Sequence, residues 1–266
     1  MRRVVYNQKG GVGKSSIAAN LAAISAYENI KTLVVDLDPQ CNASHYLLGK
    51  DVELGDINIT SFFKQSLSFR LKASDPEDFV WTTVYENLYV LPASPELNEL
   101  QSKLETKHKI FKLRDALQRM NSEYDAVYID TPPAFNFFTL SALIAAQGCL
   151  IPFDCDDFSR QALYSLLENV EETRADHNSE LHVEGIIVNQ FTSQAKLPTR
   201  VVNELKAEQL PLFDNKLSIS IKMRESHEQS KPLIYLAPSH KLTKEFVSLF
   251  HELNGLPNER KTSMAG

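Results

Sequence analysis

Apolar residues along this chain gather in short runs, separated by longer stretches where they recur every three or four positions. The short runs lie at residues 3–6, 32–35, 88–91, 126–129, 149–153 and 185–188. Several are apolar on consecutive positions, as in Leu33-Val34-Val35 and Gly185-Ile186-Ile187-Val188. That pattern predicts strands covered on both faces. The periodic stretches predict helices over 14–28, 97–120, 137–147, 159–174 and 198–208. Strand followed by helix, repeated, predicts an α/β fold: a doubly wound, mostly parallel sheet with helices on both faces. Residues 48–87 are less regular and are expected to cover one end of the sheet. The chain reads as a single domain over 1–253, with a flexible tail over 254–266.

Composition narrows the class. The chain has 266 residues, 43% hydrophobic and 23% charged, which are globular values. A length of this order buries a sizeable core without cross-links. Twenty-eight Lys and Arg stand against 34 Asp and Glu, a net charge of −6. This excludes a protein that is basic throughout and leaves a local basic patch open. Cys41, Cys149 and Cys155 form no CxxC pair, so neither a disulfide framework nor a zinc site is expected. The first residues lack the apolar core of a secretory signal, and no apolar run approaches the roughly 18 residues of a membrane span. These features predict a cytoplasmic protein.

The strongest chemical signal is Lys9-Gly10-Gly11-Val12-Gly13-Lys14-Ser15, between the first strand and the first helix. Glycines let backbone N–H groups turn toward an anion, and the helix N-terminus adds the positive end of its dipole. Gly10, Gly11, Val12, Gly13, Lys14, Ser15 and Ser16 are therefore candidate nucleotide-binding residues. Lys14 would reach the β- and γ-phosphates and the Ser15 hydroxyl would ligate Mg²⁺. The general pattern GxxxxGK[ST] asks for glycine at position 8, which is glutamine, and a lysine, Lys9, stands near the start of the loop instead.

Two acidic motifs follow. In Leu33-Val34-Val35-Asp36-Leu37-Asp38-Pro39-Gln40, both carboxylates follow a strand at the end where open α/β sheets bind ligands. Carboxylates there can hold the water shell of Mg²⁺ or orient an attacking water. Tyr124-Asp125-Ala126-Val127-Tyr128-Ile129-Asp130-Thr131-Pro132-Pro133 is a Walker B arrangement, an apolar strand ending in Asp130, which would contact Mg²⁺ through water.

The segment Asn7-Gln8-Lys9-Gly10-Gly11-Val12-Gly13-Lys14-Ser15 resembles the deviant Walker A of the ParA/MinD family of ATPases, and the two acidic motifs resemble that family's DxDPQ and YDxxxIDxPP elements. The resemblance spans nearly the whole chain and is nearest the small ParA type. It implies that Lys9 reaches across a dimer interface to the partner's nucleotide and that two ATP molecules are sandwiched between two subunits. It further implies Asp36 in the metal network beside Ser15 and Asp130, and Asp38 on the hydrolytic water. Lys9, Lys14 and Asp38 are thus the catalytic candidates, and ATP and Mg²⁺ the cofactors. Asn189, ending the strand 185–188, either hydrogen-bonds the base or caps a turn. Cys41 stands where relatives usually carry glycine, and Leu217-Ser218-Ile219-Ser220 stands where they often have an Ile-Pro pair against the adenine.

The small ParA type also implies nonspecific DNA binding by the ATP dimer, a ParB-like activator, and localisation on the nucleoid. Residues 190–250 hold nine Lys and Arg against six Asp and Glu, so this segment is positive in a chain that is negative overall. Lys222 falls on the stretch that supplies a DNA-contacting arginine in the family. A second such arginine falls near Gln194, for which Lys196 or Arg200 would substitute. Lys196, Arg200, Lys222 and Arg224 are the DNA-binding candidates. A MinD-like membrane helix or a protein-only adaptor is the alternative. Leu242, Phe246, Leu249, Phe250 and Leu253 form a stripe at helical spacing, a pattern expected of core rather than of a membrane anchor.

Overall fold

The structure, a computed structural model, describes residues 1–53, 55–68, 74–155, 157–192 and 194–257, without the side chains of 157–160. Most of the expected tail, residues 258–266, lies outside the described residues.

Among the described residues seven strands form one sheet: β1 (Arg2–Val5), β2 (Thr32–Asp36), β3 (Trp81–Thr82), β4 (Leu88–Leu91), β5 (Ala126–Asp130), β6 (Gly148–Phe153) and β7 (His182–Val188). Their order is β3-β4-β2-β5-β1-β6-β7. Every pairing is parallel except that of β3 with β4. Parallel pairing leaves no tight hairpin, so each return passes over a face of the sheet, mostly through a helix.

The consecutive apolar positions are explained by two cores. Val4, Leu33, Val35, Val127, Ile129, Cys149, Ile151, Ile186 and Val188 project into one. Val5, Val34, Val90, Tyr128, Leu150 and Ile187 project into the other. Side chains still alternate with period two, but both faces are buried, so both registers are apolar. The second core is closed by α1 (Lys14–Tyr27), α2 (Asn42–Leu48), α10 (Leu233–Leu236) and α11 (Lys241–Leu253). The alanines of α1 are buried, which lets this helix lie close against the sheet. The first core is closed by α3 (Ile59–Leu67), α4 (Leu97–Thr106), α5 (Lys112–Arg119), α6 (Phe137–Ala145), α7 (Asp157–Asp176) and α8 (Lys196–Ala207). A short helix, α9 (Ile221–Glu228), precedes α10.

Two expectations change and a third holds. The helix expected over 97–120 is two, α4 and α5. The chain turns at His108, which takes a positive φ of 51°. There the amide of Lys109 donates to the Leu104 carbonyl and that of His108 to the Glu105 carbonyl, the bonding of a Schellman C-cap. The irregular stretch 48–87 supplies α3 and the antiparallel edge strand β3. The stripe on the last helix is core: Leu242, Phe246, Leu249 and Phe250 are buried in the layer that α1 also lines.

Candidate functional site

The parallel order brings the ends of β1, β2, β5, β6 and β7 to one edge of the sheet. β1 lies between β5 and β6, so the loop after β1 is flanked by Asp130 and by the turn after Phe153.

That loop is held from below. The Asn7 side chain donates to the Pro152 carbonyl at 2.7 Å and accepts from the Lys9 amide at 2.8 Å. The Thr131 hydroxyl donates to the Val5 carbonyl at 2.8 Å. The loop ends at Gly13, the N-cap of α1, with φ 88°. A Cβ there would lie 2.5 Å from the Asn189 amide nitrogen, so both backbone and space require glycine. Asn189 donates to the Val12 carbonyl at 2.9 Å, and Gln190 to the Gly11 carbonyl at 3.0 Å. The amide group of Asn189 therefore braces the loop from β7.

Lys14 is buried, and its Nζ donates to the Lys9 carbonyl at 3.1 Å. Burial lowers its pKa, while Asp130 and Asp38 pull the other way. Lys9 is exposed, and its Nζ pairs with Asp154 at 2.7 Å. A cavity of about 360 Å³ opens among Gly10, Lys14, Ser15, Asp38, Pro133 and His227.

The carboxylates differ in what holds them. Asp36 is fully buried and accepts from the Asp38 amide (3.0 Å), the Ser44 amide (2.9 Å) and the Ser44 hydroxyl (2.7 Å). The same hydroxyl accepts from the Ala93 amide at 3.0 Å, tying β2 through α2 to the end of β4. Burial outweighs these bonds and pushes the Asp36 carboxyl up to about 6. Asp38 accepts from the Gln40 amide at 2.9 Å and faces the cavity. Asp130 is fully buried, and neither of its oxygens has a hydrogen-bond partner among the described residues. Burial and then the nearby Asp36 raise its pKa well above the ordinary carboxylate value. The Ser15 hydroxyl acts in the opposite sense without reaching hydrogen-bond geometry. A buried, unpartnered carboxylate beside a serine hydroxyl suits a hydrated Mg²⁺, whose waters would be the missing donors.

A second cavity, of about 180 Å³, adjoins the loop, lined by Gly13, Asn189, Gln190, Ile219, Met223 and Arg224 among others. Its apolar walls and side-chain amides suit a planar base.

The AAA domain family matches residues 3–183. The chain is 33% identical over 251 residues to the chromosome partitioning protein ParA of Myxococcus xanthus, covering 94% of this chain and 86% of that one. It is 28% identical over 251 residues to the sporulation initiation inhibitor protein Soj of Bacillus subtilis, covering 94% and 96%. The chain belongs to the ParA/MinD family of P-loop ATPases. The fold agrees: apo McdA from Cyanothece superposes with a TM-score of 0.82 at 23% identity, covering 96% of this chain and 99% of that one.

Within this ParA/MinD fold the four basic candidates lie two on α8 and two on α9. Lys196 and Arg200 are exposed on α8, and Arg200 pairs with Glu204 at 3.6 Å. Lys222 on α9 pairs with Glu225 one turn on. Arg224 is exposed at the rim of the second cavity. No helix among the described residues is long and apolar enough to cross a membrane.

Three residues of the site escaped sequence reasoning: Ser44, Asp154 and His227. His227 stands 2.7 Å from the Ser16 hydroxyl, from a helix remote in sequence. Burial, and then Lys50, lower its pKa. None of the three lies in a glycine-rich or acidic motif, so only the tertiary fold reveals them.

Proposed function

We propose that this protein is a ParA-type ATPase that forms an ATP-sandwich homodimer, binds nonspecific DNA in that state, and positions or segregates a cargo on the nucleoid. The observation that carries the reading is the cavity lined by Lys14, Ser15 and Asp38 from the ends of β1 and β2, with the buried carboxylate of Asp130 at the end of β5 between them. Lys14 and the loop amides bind the phosphates of ATP, with Gly10, Gly11, Val12, Gly13, Ser15 and Ser16 as the cradle. Ser15 and Asp130 would hold Mg²⁺, which would supply positive charge to the bound phosphates. Asp36 acts behind them, fixing Asp38 through its amide. Asp38 orients the attacking water. Asn189 braces the loop beside the base.

Lys9 supplies its charge in trans. In the single chain it pairs with Asp154, so it must exchange this partner for the other subunit's γ-phosphate. Lys196, Arg200, Lys222 and Arg224 contact DNA phosphates. The glutamates paired with Arg200 and Lys222 weaken binding by the single chain, and dimerisation doubles the basic groups. Hydrolysis is slow and is stimulated by a ParB-like partner, as family membership suggests.

The test uses light scattering and a gel shift on nonspecific duplex at fixed salt, each with ATP and with ADP. The expected result is a dimer that retains DNA with ATP alone. Lys9→Ala should lose both and slow turnover by about 100-fold or more. A monomer under saturating Mg-ATP, or equal DNA affinity with ADP, would falsify the reading. Binding to anionic liposomes without DNA retention would favour the membrane alternative.

A further inference from the structure

A polar network outside the phosphate loop joins the nucleotide cavity to α9. Its centre is His227. The imidazole Nε2 lies 2.7 Å from the Ser16 hydroxyl, in the first turn of α1. The ring stacks on Tyr46 of α2, with centroids 4.1 Å apart and planes inclined by 24°. The Tyr46 hydroxyl in turn meets the Ser226 hydroxyl, next to His227 on α9, and accepts from the Asn20 amide at 3.1 Å.

Asn20 closes the circuit. Its amide nitrogen donates to the Ser16 carbonyl at 2.8 Å, and its oxygen accepts from the Leu233 amide of α10 at 2.9 Å. Ser226 donates to the Lys231 carbonyl at 2.6 Å. Asn20, Tyr46 and Ser226 are all buried. A buried network this fully satisfied holds its helices in one relative position, because moving one strands polar groups in the core.

The network is asymmetric in one respect. Asn20, Tyr46 and Ser226 are sealed in the core, whereas His227 lines the phosphate cavity itself. Of these groups, therefore, the Ser16–His227 pair is the one an incoming phosphate reaches. The helix on the far side of that pair carries Lys222 and Arg224.

We infer that His227 is a positioning residue of the nucleotide site: it ties the Ser16 hydroxyl to α9, so that filling the phosphate cavity changes the hold on the helix that carries Lys222 and Arg224. The inference rests on the reading that this cavity takes a nucleoside phosphate. It concerns the route from nucleotide to α9, not the chemistry of hydrolysis. A phosphate oxygen at the cradle draws on the Ser16 hydroxyl, the imidazole or both. Either way the apo pair is replaced by one that includes the ligand, and α9 responds.

The experiment is amide hydrogen exchange on the full chain, read at residues 221–228, without nucleotide and with saturating Mg-ADP or Mg-ATP. Saturation is set for each variant by its own nucleotide titration. Mg-ADP should change the wild-type exchange rate of α9 by about fivefold or more. His227→Phe keeps a ring to stack on Tyr46 and removes the nitrogen, so this response should vanish. His227→Gln restores a hydrogen-bonding group and should recover part of it. Melting of each variant confirms that it is folded. A response in His227→Phe equal to wild type overturns the inference, as does a wild type that binds nucleotide with no change at α9. Failure of the wild type to bind any nucleotide overturns this inference and the proposed function together. An α9 response without DNA retention upholds the role of His227 and rejects the DNA assignment alone.

Discussion

At the scale of single residues, the site depends on how two aspartates two positions apart are held. Asp36 spends both oxygens on Ser44 and the Asp38 amide, whereas Asp38 uses one on the Gln40 amide and faces the cavity. The difference follows from their places on the chain. Asp36 is the last residue of β2 and points into the core, while Asp38 is already in the loop. Asp38→Ala should therefore leave Mg-ATP binding in place and lower turnover by about 100-fold or more, accumulating the ATP dimer. Phosphate release alongside light scattering checks this, and wild-type turnover would remove Asp38 from the water-orienting role. Cys41 shows the same dependence on place. It adopts a positive φ of 56° at the N-cap of α2, the conformation for which glycine is favoured. Its buried thiol, pushed up to about 12 first by burial and then by Asp36 and Asp38, stays protonated at neutral pH.

At the scale of elements, periodicity sees apolar faces well and breaks poorly. The apolar spacing of α4 continues into α5, with Leu97, Leu100, Leu104, Leu113 and Leu117 all buried. The turn between them carries no glycine or proline, because His108 takes the left-handed position. The His108 side chain is exposed, so it offsets little of that backbone cost. His108→Gly should stabilise the protein by up to about 1 kcal/mol, a rise in melting temperature of roughly 2–4 °C. A lower melting temperature would mean that the side chain contributes more than its exposure suggests. For α8 and α9 the charge count misleads. Lys222 and Arg200 belong to a segment of positive balance, yet each sits beside a glutamate on its own helix. Exposed pairs of this kind are weak and yield to phosphate, so the segment's charge becomes available on contact rather than as a standing field.

At the scale of the whole molecule, the nucleotide edge concentrates buried acid. Asp36 and Asp130 are fully buried, and burial raises the pKa of both, and of Asp38, in the apo protein. A carboxyl whose folded pKa is raised binds protons that the unfolded chain has released. Stability is then greatest below the ordinary value near 4 and falls as pH rises through the folded values, about 6 for Asp36. The apo melting temperature should thus decline as pH rises from about 4 through about 6. His227, with a lowered pKa, works in the opposite sense, and its effect is subtracted from that slope. Asp130→Asn removes one raised carboxyl and should flatten the decline by about 3 °C or more. A slope unchanged from wild type would show that Asp130 does not hold a proton in the folded protein in this window. Saturating Mg-ATP should also flatten it, because bound cation favours the ionised carboxylates.

The sequence by itself determined the α/β class, the six core strands, and the residues of the phosphate and acidic motifs. These are local facts: apolar runs of strand length, glycines where an anion must approach backbone, and carboxylates directly after strands. The tertiary structure decided what each of those residues faces. It separated Asp36, closed in by Ser44, from Asp130, whose buried oxygens have no hydrogen-bond partner among the described residues. It brought Asp154 to Lys9 and His227 to Ser16 across 145 and 211 residues of chain. No periodicity encodes such encounters, because they arise from which parallel strands lie side by side. That order, β5-β1-β6, is set by packing two cores against one sheet and leaves no mark on any single stretch of sequence.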